Sequence, residues 1–447
     1  MKHLQLGFLG LVIILAGILV SCGLQKAADV TISRDSKDLK RYSGTEIRFI
    51  TNKHPWVDVI RSRIDEFTEA TGISVVITEY PEEQFRTKRT VELLSGLPRF
   101  DVFMIMPGNS LDAYLKAGWI EALNPYMENP SMAWPAYDMD DIFPTALEVG
   151  VRSGVNYTLP IMLETSLLAY NKELLENYGV DPPRTMEQLQ DAARRIWTDS
   201  GGEIFGITMR GKRSAATSQW IDFARSFGGD WLDTEGKAAL HSPAAVESLR
   251  FYASLLNRYG PKSAPSNGWY ESTSLFMQGR AAMIYDASVF KSNYENPQMS
   301  EVAGKVGYLP IPEGPAGAVP HASSWGLAIF PGSEKKNASW FFMQWATSRE
   351  YALEGLLAGI PAARKSVWEH PRFLEGELST EWTKSSLDSY SKASSLWNPP
   401  VIAVERGRNI AGNPIVTAIL GGDVQAAADD ASRQLDELIR KEKSDSQ

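Results

Sequence analysis

Glu46-Ile-Arg-Phe-Ile50, Ile73-Ser-Val-Val-Ile77 and Asp101-Val-Phe-Met-Ile105 are three short apolar runs early in a chain of 447 residues. Each is short enough, and rich enough in β-branched and aromatic residues, to read as a strand. Between the first two, Val57, Ile60, Ile64 and Phe67 recur at helical spacing, which predicts a helix over 57–71 stopped by Gly72. Between the second and third, 82–94 reads as another helix, closed by Gly96. The order strand, helix, strand, helix, strand predicts a parallel sheet whose ligands meet the loops at the carboxyl ends of the strands.

The pattern changes near residue 155. Tyr157-Thr-Leu-Pro-Ile161, Leu167-Leu-Ala-Tyr170, Ala281-Ala-Met-Ile-Tyr285 and the run Trp325 to Phe330 read as further strands. Helices are expected over 185–197, 220–227, 244–259, 272–278 and 335–347. A last helix is plain, because Val424, Ala428, Ala431, Leu435 and Leu438 step by four, three, four and three. No internal repeat or low-complexity tract interrupts the chain.

The N-terminus reads as an export signal. Lys2 and His3 precede an apolar run from Leu4 to Val20, and Leu19-Val20-Ser21-Cys22 follows the four-residue lipobox pattern. Cleavage before Cys22 and a diacylglyceryl thioether on it would anchor the mature protein to a membrane. The alternative is an uncleaved anchor, for which the apolar run is slightly short. Cys22 is the only cysteine, so no disulfide staples the exported protein and its core must hold it together. Residues 23–45 read as a polar tether and 441–447 as a tail. The formal charge of −9, without Lys/Arg clusters, argues against nucleic acid or anionic lipid as ligand.

Catalytic signatures are missing. There is no His-Glu-x-x-His, no Gly-x-Ser-x-Gly, and no pair of Cys or His at metal spacing; the five histidines are scattered. No cofactor or metal is expected. Asp138-Met-Asp-Asp141 lacks the glycine and terminal Glu of a calcium loop. The 13 Trp and 16 Tyr instead suit carbohydrate, because an indole covers the C–H face of a polyhydroxy compound while carboxylates and Arg satisfy its hydroxyls.

Pro160-Ile-Met-Leu-Glu-Thr-Ser-Leu-Leu-Ala-Tyr-Asn-Lys172, leading to Pro182-Pro-Arg-Thr-Met-Glu-Gln-Leu189, resembles the hinge-following segment of family 1 extracellular solute-binding proteins, the capture subunits of sugar ABC importers. The similarity runs through Ala117-Gly-Trp-Ile-Glu-Ala-Leu123, Gly279-Arg-Ala-Ala-Met283 and Phe342-Met-Gln-Trp-Ala-Thr-Ser348, and covers roughly 45–440. Ser266-Asn-Gly-Trp-Tyr-Glu271, Ala282-Met-Ile-Tyr-Asp-Ala-Ser-Val289 and Leu163-Glu-Thr-Ser166 are closest to the branch that includes sorbitol/mannitol-binding proteins. The resemblance implies an α/β fold of the periplasmic-binding-protein kind, with two lobes about a hinge and a ligand cleft between them. Lobe one is expected at 46–155 and 310–345, lobe two at 156–309 and 346–440. It further implies capture of a polyol or small sugar, the membrane subunits of an ABC permease as partners, and no bond made or broken. Two rivals stay open: a same-fold receptor for another solute (an oligosaccharide, a phosphodiester or a polyamine) and a secreted carbohydrate-active enzyme with a carboxylate pair.

The candidate ligand contacts follow. The resemblance places a carboxylate on ligand hydroxyls at Glu164. Asp286 is expected at the carboxyl edge of its strand and Arg364 in a Pro-containing turn. Pro107-Gly108-Asn109 is expected as a loop tip, with Gly108 admitting the ligand and Asn109 offering a donor and an acceptor. Trp269 and Trp325 are expected in loops, as an aromatic wall. Arg210, Ser323 and Ser324 complete the set.

Overall fold

The structure is a computed structural model, and it describes residues 39–376 and 380–445. The signal segment, Cys22 and most of the tether lie outside the described residues. Within them no helix is long and apolar enough to cross a membrane.

The opening stretch folds as its pattern predicts. β1 (Glu46–Asn52) pairs in parallel with β2 (Ser74–Tyr80), Glu46 against Ser74 through Asn52 against Tyr80, and β1 also pairs in parallel with β3 (Val102–Ile105). α1 (Pro55–Thr71) and α2 (Glu82–Leu94) are the intervening helices. The His54 side chain caps α1 by accepting from the Trp56 N–H, and Pro55 sits in the first turn, where its missing N–H costs nothing. Two later strands complete this sheet, one of them with reversed direction. β4 (Leu159–Pro160) and β8 (Gly326–Ile329) give the order β2-β1-β3-β8-β4, with β8 antiparallel to both neighbours. The sheet is therefore mixed rather than parallel throughout.

β5 (Ser166–Asn171), β6 (Met283–Ala287) and β7 (Val306–Leu309) form a second, antiparallel sheet in the order β6-β5-β7. All six residues of β5 are buried, because helices cover both faces. Alternate residues serve two cores, as a strand's period of two requires. Leu168 and Tyr170 pack with Trp220, Phe223 and Tyr252. Leu167 and Ala169 pack with Trp368, Trp382 and Tyr390. The first sheet has its own core of Phe49, Phe67, Phe103, Trp340 and Phe342. The chain thus makes two lobes. It leaves the first sheet after β4, so the first crossing lies at 161–165 rather than at 155–156, and Ile311 still packs in the second lobe.

Flanking the second sheet are α4 (Met186–Asp199), α5 (Arg213–Ser226), α6 (Pro243–Tyr259) and α7 (Trp269–Met277). α3 (Pro107–Ala117) belongs to the first lobe. The C-terminal third adds α8 (Lys336–Ala346), α9 (Arg349–Leu357), α10 (Thr380–Lys392), α11 (Val404–Ile419) and α12 (Val424–Ser444). α11 has no counterpart in the sequence-based expectation, since Gly407, Gly412 and Pro414 break its helical pattern. Gly412 is there for contact. A Cβ on it would run into the Arg213 carbonyl oxygen, so only glycine lets α11 lie against the start of α5. Gly412→Val should therefore force the helices apart and cost on the order of 1–3 kcal/mol. A lower melting temperature by calorimetry is the expected result, and an unchanged one contradicts the packing.

Candidate functional site

A cavity of about 270 Å³ opens between the lobes. The first lobe supplies the carboxyl ends of its parallel strands and the helix starts that follow them. Asn52, Lys53 and His54 come after or at the end of β1, Glu82 and Arg86 come from α2, and Met106 and Asn109 follow β3. The second lobe supplies Arg210, Ser218 on α5, Trp269, Phe290, Trp397 and Arg408 on α11. The chain crossings supply Glu164, His321, Ser323 and Trp325. In the first lobe the cavity therefore opens at the carboxyl ends of the parallel strands.

The polar groups are held by partners behind them. Glu164 and Ser323 exchange both backbone hydrogen bonds, at 2.9 and 2.8 Å, and the Ser323 hydroxyl donates to Glu164 Oε1 at 3.2 Å. Arg210 is gripped by Asp286, Nε to Oδ2 at 3.1 Å and Nη2 to Oδ1. Tyr252 donates to the Arg210 carbonyl at 2.6 Å, fixing the backbone too. Asp222 accepts from Tyr285 Oη at 2.6 Å and lies 2.8 Å from His321 Nδ1. A carboxylate cannot donate, so in this contact Nδ1 of His321 is the donor. The aromatic surfaces are similarly backed. Trp269 stacks on Phe290 at 5.3 Å and remains 41% exposed, leaving one face for a ligand. Trp325 stands 6.3 Å from the His54 ring, and Trp397 lies 5.7 Å from that of His321.

Of the ten expected ligand contacts, Asn109, Glu164, Arg210, Trp269, Ser323 and Trp325 line this cavity. Four do not. Asp286 is sealed behind Arg210, whose guanidinium it orients. Ser324 turns to the core and donates to the Met162 carbonyl at 2.8 Å. Arg364 is buried elsewhere, donating to the carbonyls of Thr347 and Asp138 at 2.7 Å and lying 3.3 Å from Asp141. Asp138 and Asp141, rejected as calcium ligands, are thus its anchors. Gly108 faces a larger hollow of about 700 Å³ on the other side of Trp397, lined also by Leu396 and Pro399. A Cβ on Gly108 would meet Trp397 Nε1 at 2.8 Å.

Two expected loops are helix starts. Pro107-Gly108-Asn109 opens α3, because proline is tolerated in a first helical turn as well as in a turn between strands. Trp269 opens α7, where the Glu271 carboxylate accepts from the Gly268 N–H at 2.8 Å. Asn109 does not offer its oxygen freely, since Oδ1 accepts from Asn398 Nδ2 of the other lobe at 2.8 Å.

His54, Arg86 and Arg408 were not among the expected contacts. The first two were within reach of the sequence, because they follow β1 and β2 as Asn109 follows β3. Arg408 lies on the helix that the sequence pattern concealed.

Burial pushes the Glu164 carboxyl up to about 7, against the Ser323 hydrogen bond and the nearby His321 and Arg210, which favour its ionised form. Burial pushes His54 down to about 4, consistent with Nδ1 accepting the Trp56 N–H. The two act oppositely on stability. The unfolded chain ionises Glu164 from about 4.5 upward while the folded chain resists until about 7, so this group costs stability as pH rises through that window. The unfolded chain protonates His54 below about 6.5 and the folded chain does not until about 4, so this group costs stability as pH falls. Ligand-free Glu164→Gln should therefore gain on the parent protein between pH 4.5 and 7, by on the order of 3 kcal/mol in full. Paired melting curves across that range check it, and a pH-independent difference contradicts it. Asp286→Ala strands a buried guanidinium and should cost about 3–5 kcal/mol. The expected readout is a sharply lower ligand-free melting temperature.

The comparisons with known proteins agree with this geometry. The family model described as bacterial extracellular solute-binding protein matches residues 55–353. The erythritol/L-threitol-binding protein of Mycolicibacterium smegmatis is 29% identical over 390 residues, 81% of this chain and 80% of the relative. A solute-binding protein of Agrobacterium radiobacter K84, solved in complex with ribitol, superposes with a TM-score of 0.78 at 26% identity, covering 89% of this chain and 99% of that one. A solute-binding protein of Agrobacterium vitis S4 with bound D-mannitol gives 0.74 at 27% identity, with 89% and 99% covered.

Proposed function

Because the chain belongs to the bacterial extracellular solute-binding protein family, we propose that it captures a polyol or small sugar between its lobes and delivers it to the membrane subunits of an ABC importer. Lipid on Cys22 would hold it at the extracytoplasmic face of the membrane, raising its effective concentration at the permease. In this proposal lobe one comprises 46–160 and 326–345 and lobe two 166–322 and 346–440, the expected boundaries of 46–155 with 310–345 and 156–309 with 346–440 moved to the crossings at 161–165 and 323–325. Its similar proteins are solute-binding proteins and not enzymes, so the carboxylates serve recognition rather than bond cleavage.

One observation carries the choice of ligand. The interlobe cavity is small, about 270 Å³, and mixes aromatic faces with hydrogen-bonding groups from both lobes. That is below the roughly 300–1,000 Å³ of sites for drug-sized ligands. It suits a compound with a hydroxyl on nearly every carbon and a short C–H face, which Trp269 and Trp325 would cover. Glu164 and Arg210 would bind the hydroxyls, each already fixed by its partners and so losing little freedom on binding. The similar proteins named for erythritol and L-threitol, or solved with ribitol and D-mannitol, support the same class.

Calorimetry with erythritol, ribitol and D-mannitol tests the proposal, with tryptophan fluorescence as a second readout. At least one alditol should bind and perturb the fluorescence, and Glu164→Ala should weaken it by about 1.5–3 kcal/mol, the scale of a hydrogen bond to a charged group. Binding of a longer oligosaccharide with no response to any alditol or monosaccharide contradicts it.

A further inference from the structure

Three guanidinium groups line the cleft: Arg210 and Arg408 from the second lobe and Arg86 from the first. Two of the three are matched. Arg86 pairs with Glu82 at 2.6 Å, and Arg210 is gripped by Asp286. Arg408 is not. It is only 8% exposed, its Nε and Nη2 donate to the Ser214 carbonyl at 3.0 and 2.6 Å, and Nε also reaches the Thr217 hydroxyl at 3.0 Å. Among the described residues no carboxylate lies within ion-pair distance of it, and its Nη1 makes no hydrogen bond to any of them. Its guanidinium lies over the Trp397 ring at 5.3 Å, on the wall of the cavity.

The placement is built. Gly412, one turn further along α11, lets that helix lie on α5, and the contact sets Arg408 against Ser214 and Thr217. Burial lowers Arg408 only to about 10, so it stays cationic at neutral pH. Glu164, the remaining acid of the cavity, is held by Ser323 and makes no ion pair with Arg408. Glu405, one turn back on α11, favours the Arg408 charge from a distance, but a desolvated cation without a direct ion pair is costly to keep. A neutral polyol would leave it as it is, whereas a carboxylate would satisfy it.

We propose that the cleft is completed by a polyhydroxy carboxylate, an acid of the aldonate class, whose carboxylate meets Arg408 beside Trp397 while its hydroxyl chain runs toward Glu164 and Arg210. This deepens the polyol proposal and rests on it. Arg408 then sets specificity between an acid and the alditol of equal length.

The test is calorimetry on the full chain, pairing erythronate with erythritol, ribonate with ribitol and gluconate with D-mannitol. In the best-binding pair the acid should bind about ten- to a hundredfold more tightly than the alditol, the worth of one charge-assisted bond. Added salt should narrow the gap. Arg408→Gln should bring the ratio to about one, and the ratio in the parent protein tests the idea even if that variant folds poorly. An alditol binding as tightly as its acid, or more tightly, overturns the carboxylate assignment and leaves the polyol proposal standing. Failure of all six while an oligosaccharide binds overturns both.

Discussion

The chain passes between the lobes at 161–165 and returns at 323–325, and the two passages are hydrogen-bonded to each other. Ile161 N–H donates to the Trp325 carbonyl at 2.9 Å, and Glu164 and Ser323 exchange a complete backbone pair. A third passage joins them, since Leu163 N–H donates to the Pro361 carbonyl at 3.1 Å. Buried backbone groups have to be paired, so these passages run as one narrow ribbon rather than as separate loops. The ribbon forms the floor of the cleft. Because Glu164 is part of it, its carboxyl is held out of water between two cores, and its raised pKa is a consequence of that position.

Above the floor the lobes contribute different chemistry. The first lobe offers strand ends and helix starts, where unsatisfied N–H groups and short polar side chains gather. The second lobe fixes its polar groups from behind: Asp286 holds Arg210, and Asp222, itself held by Tyr285, holds His321. The aromatic rings Trp269 and Trp397 come from the second lobe and Trp325 from the ribbon. Such a site is organised before the ligand arrives, which limits the entropy lost on binding. Asn398 adds a direct tie across the mouth, with Nδ2 donating to Gly108 and Asn109 oxygens at 2.8 Å.

Much of this was legible in the residues, and the failures share a cause. β1, α1 and α2 follow from local period and capping, because those signals are carried by neighbours in sequence. The same local rules misplace Pro107-Gly108-Asn109 and Trp269, since Pro and Gly mark both loops and helix starts. α11 stayed hidden because Gly407, Gly412 and Pro414 are tolerated there only through its packing on other helices. Asp286 and Arg364 have the residue types of a binding site, yet their charged partners, Arg210 and Asp141, are 76 and 223 positions away along the chain. Whether a buried charge faces a ligand or another side chain is decided by such distant partners, which no local pattern encodes. Glu164 was found through resemblance, and its pairing with Ser323, 159 positions away, explains why that resemblance was informative.

A crystal structure with an alditol bound tests the central claim most directly. One molecule should lie between the lobes on the 161–165 and 323–325 ribbon, with hydroxyls in hydrogen-bond reach of Glu164 and Arg210 and its C–H face against Trp269 or Trp325. An alditol bound instead in the larger hollow beyond Trp397, with the ribbon cleft holding only solvent, would contradict it.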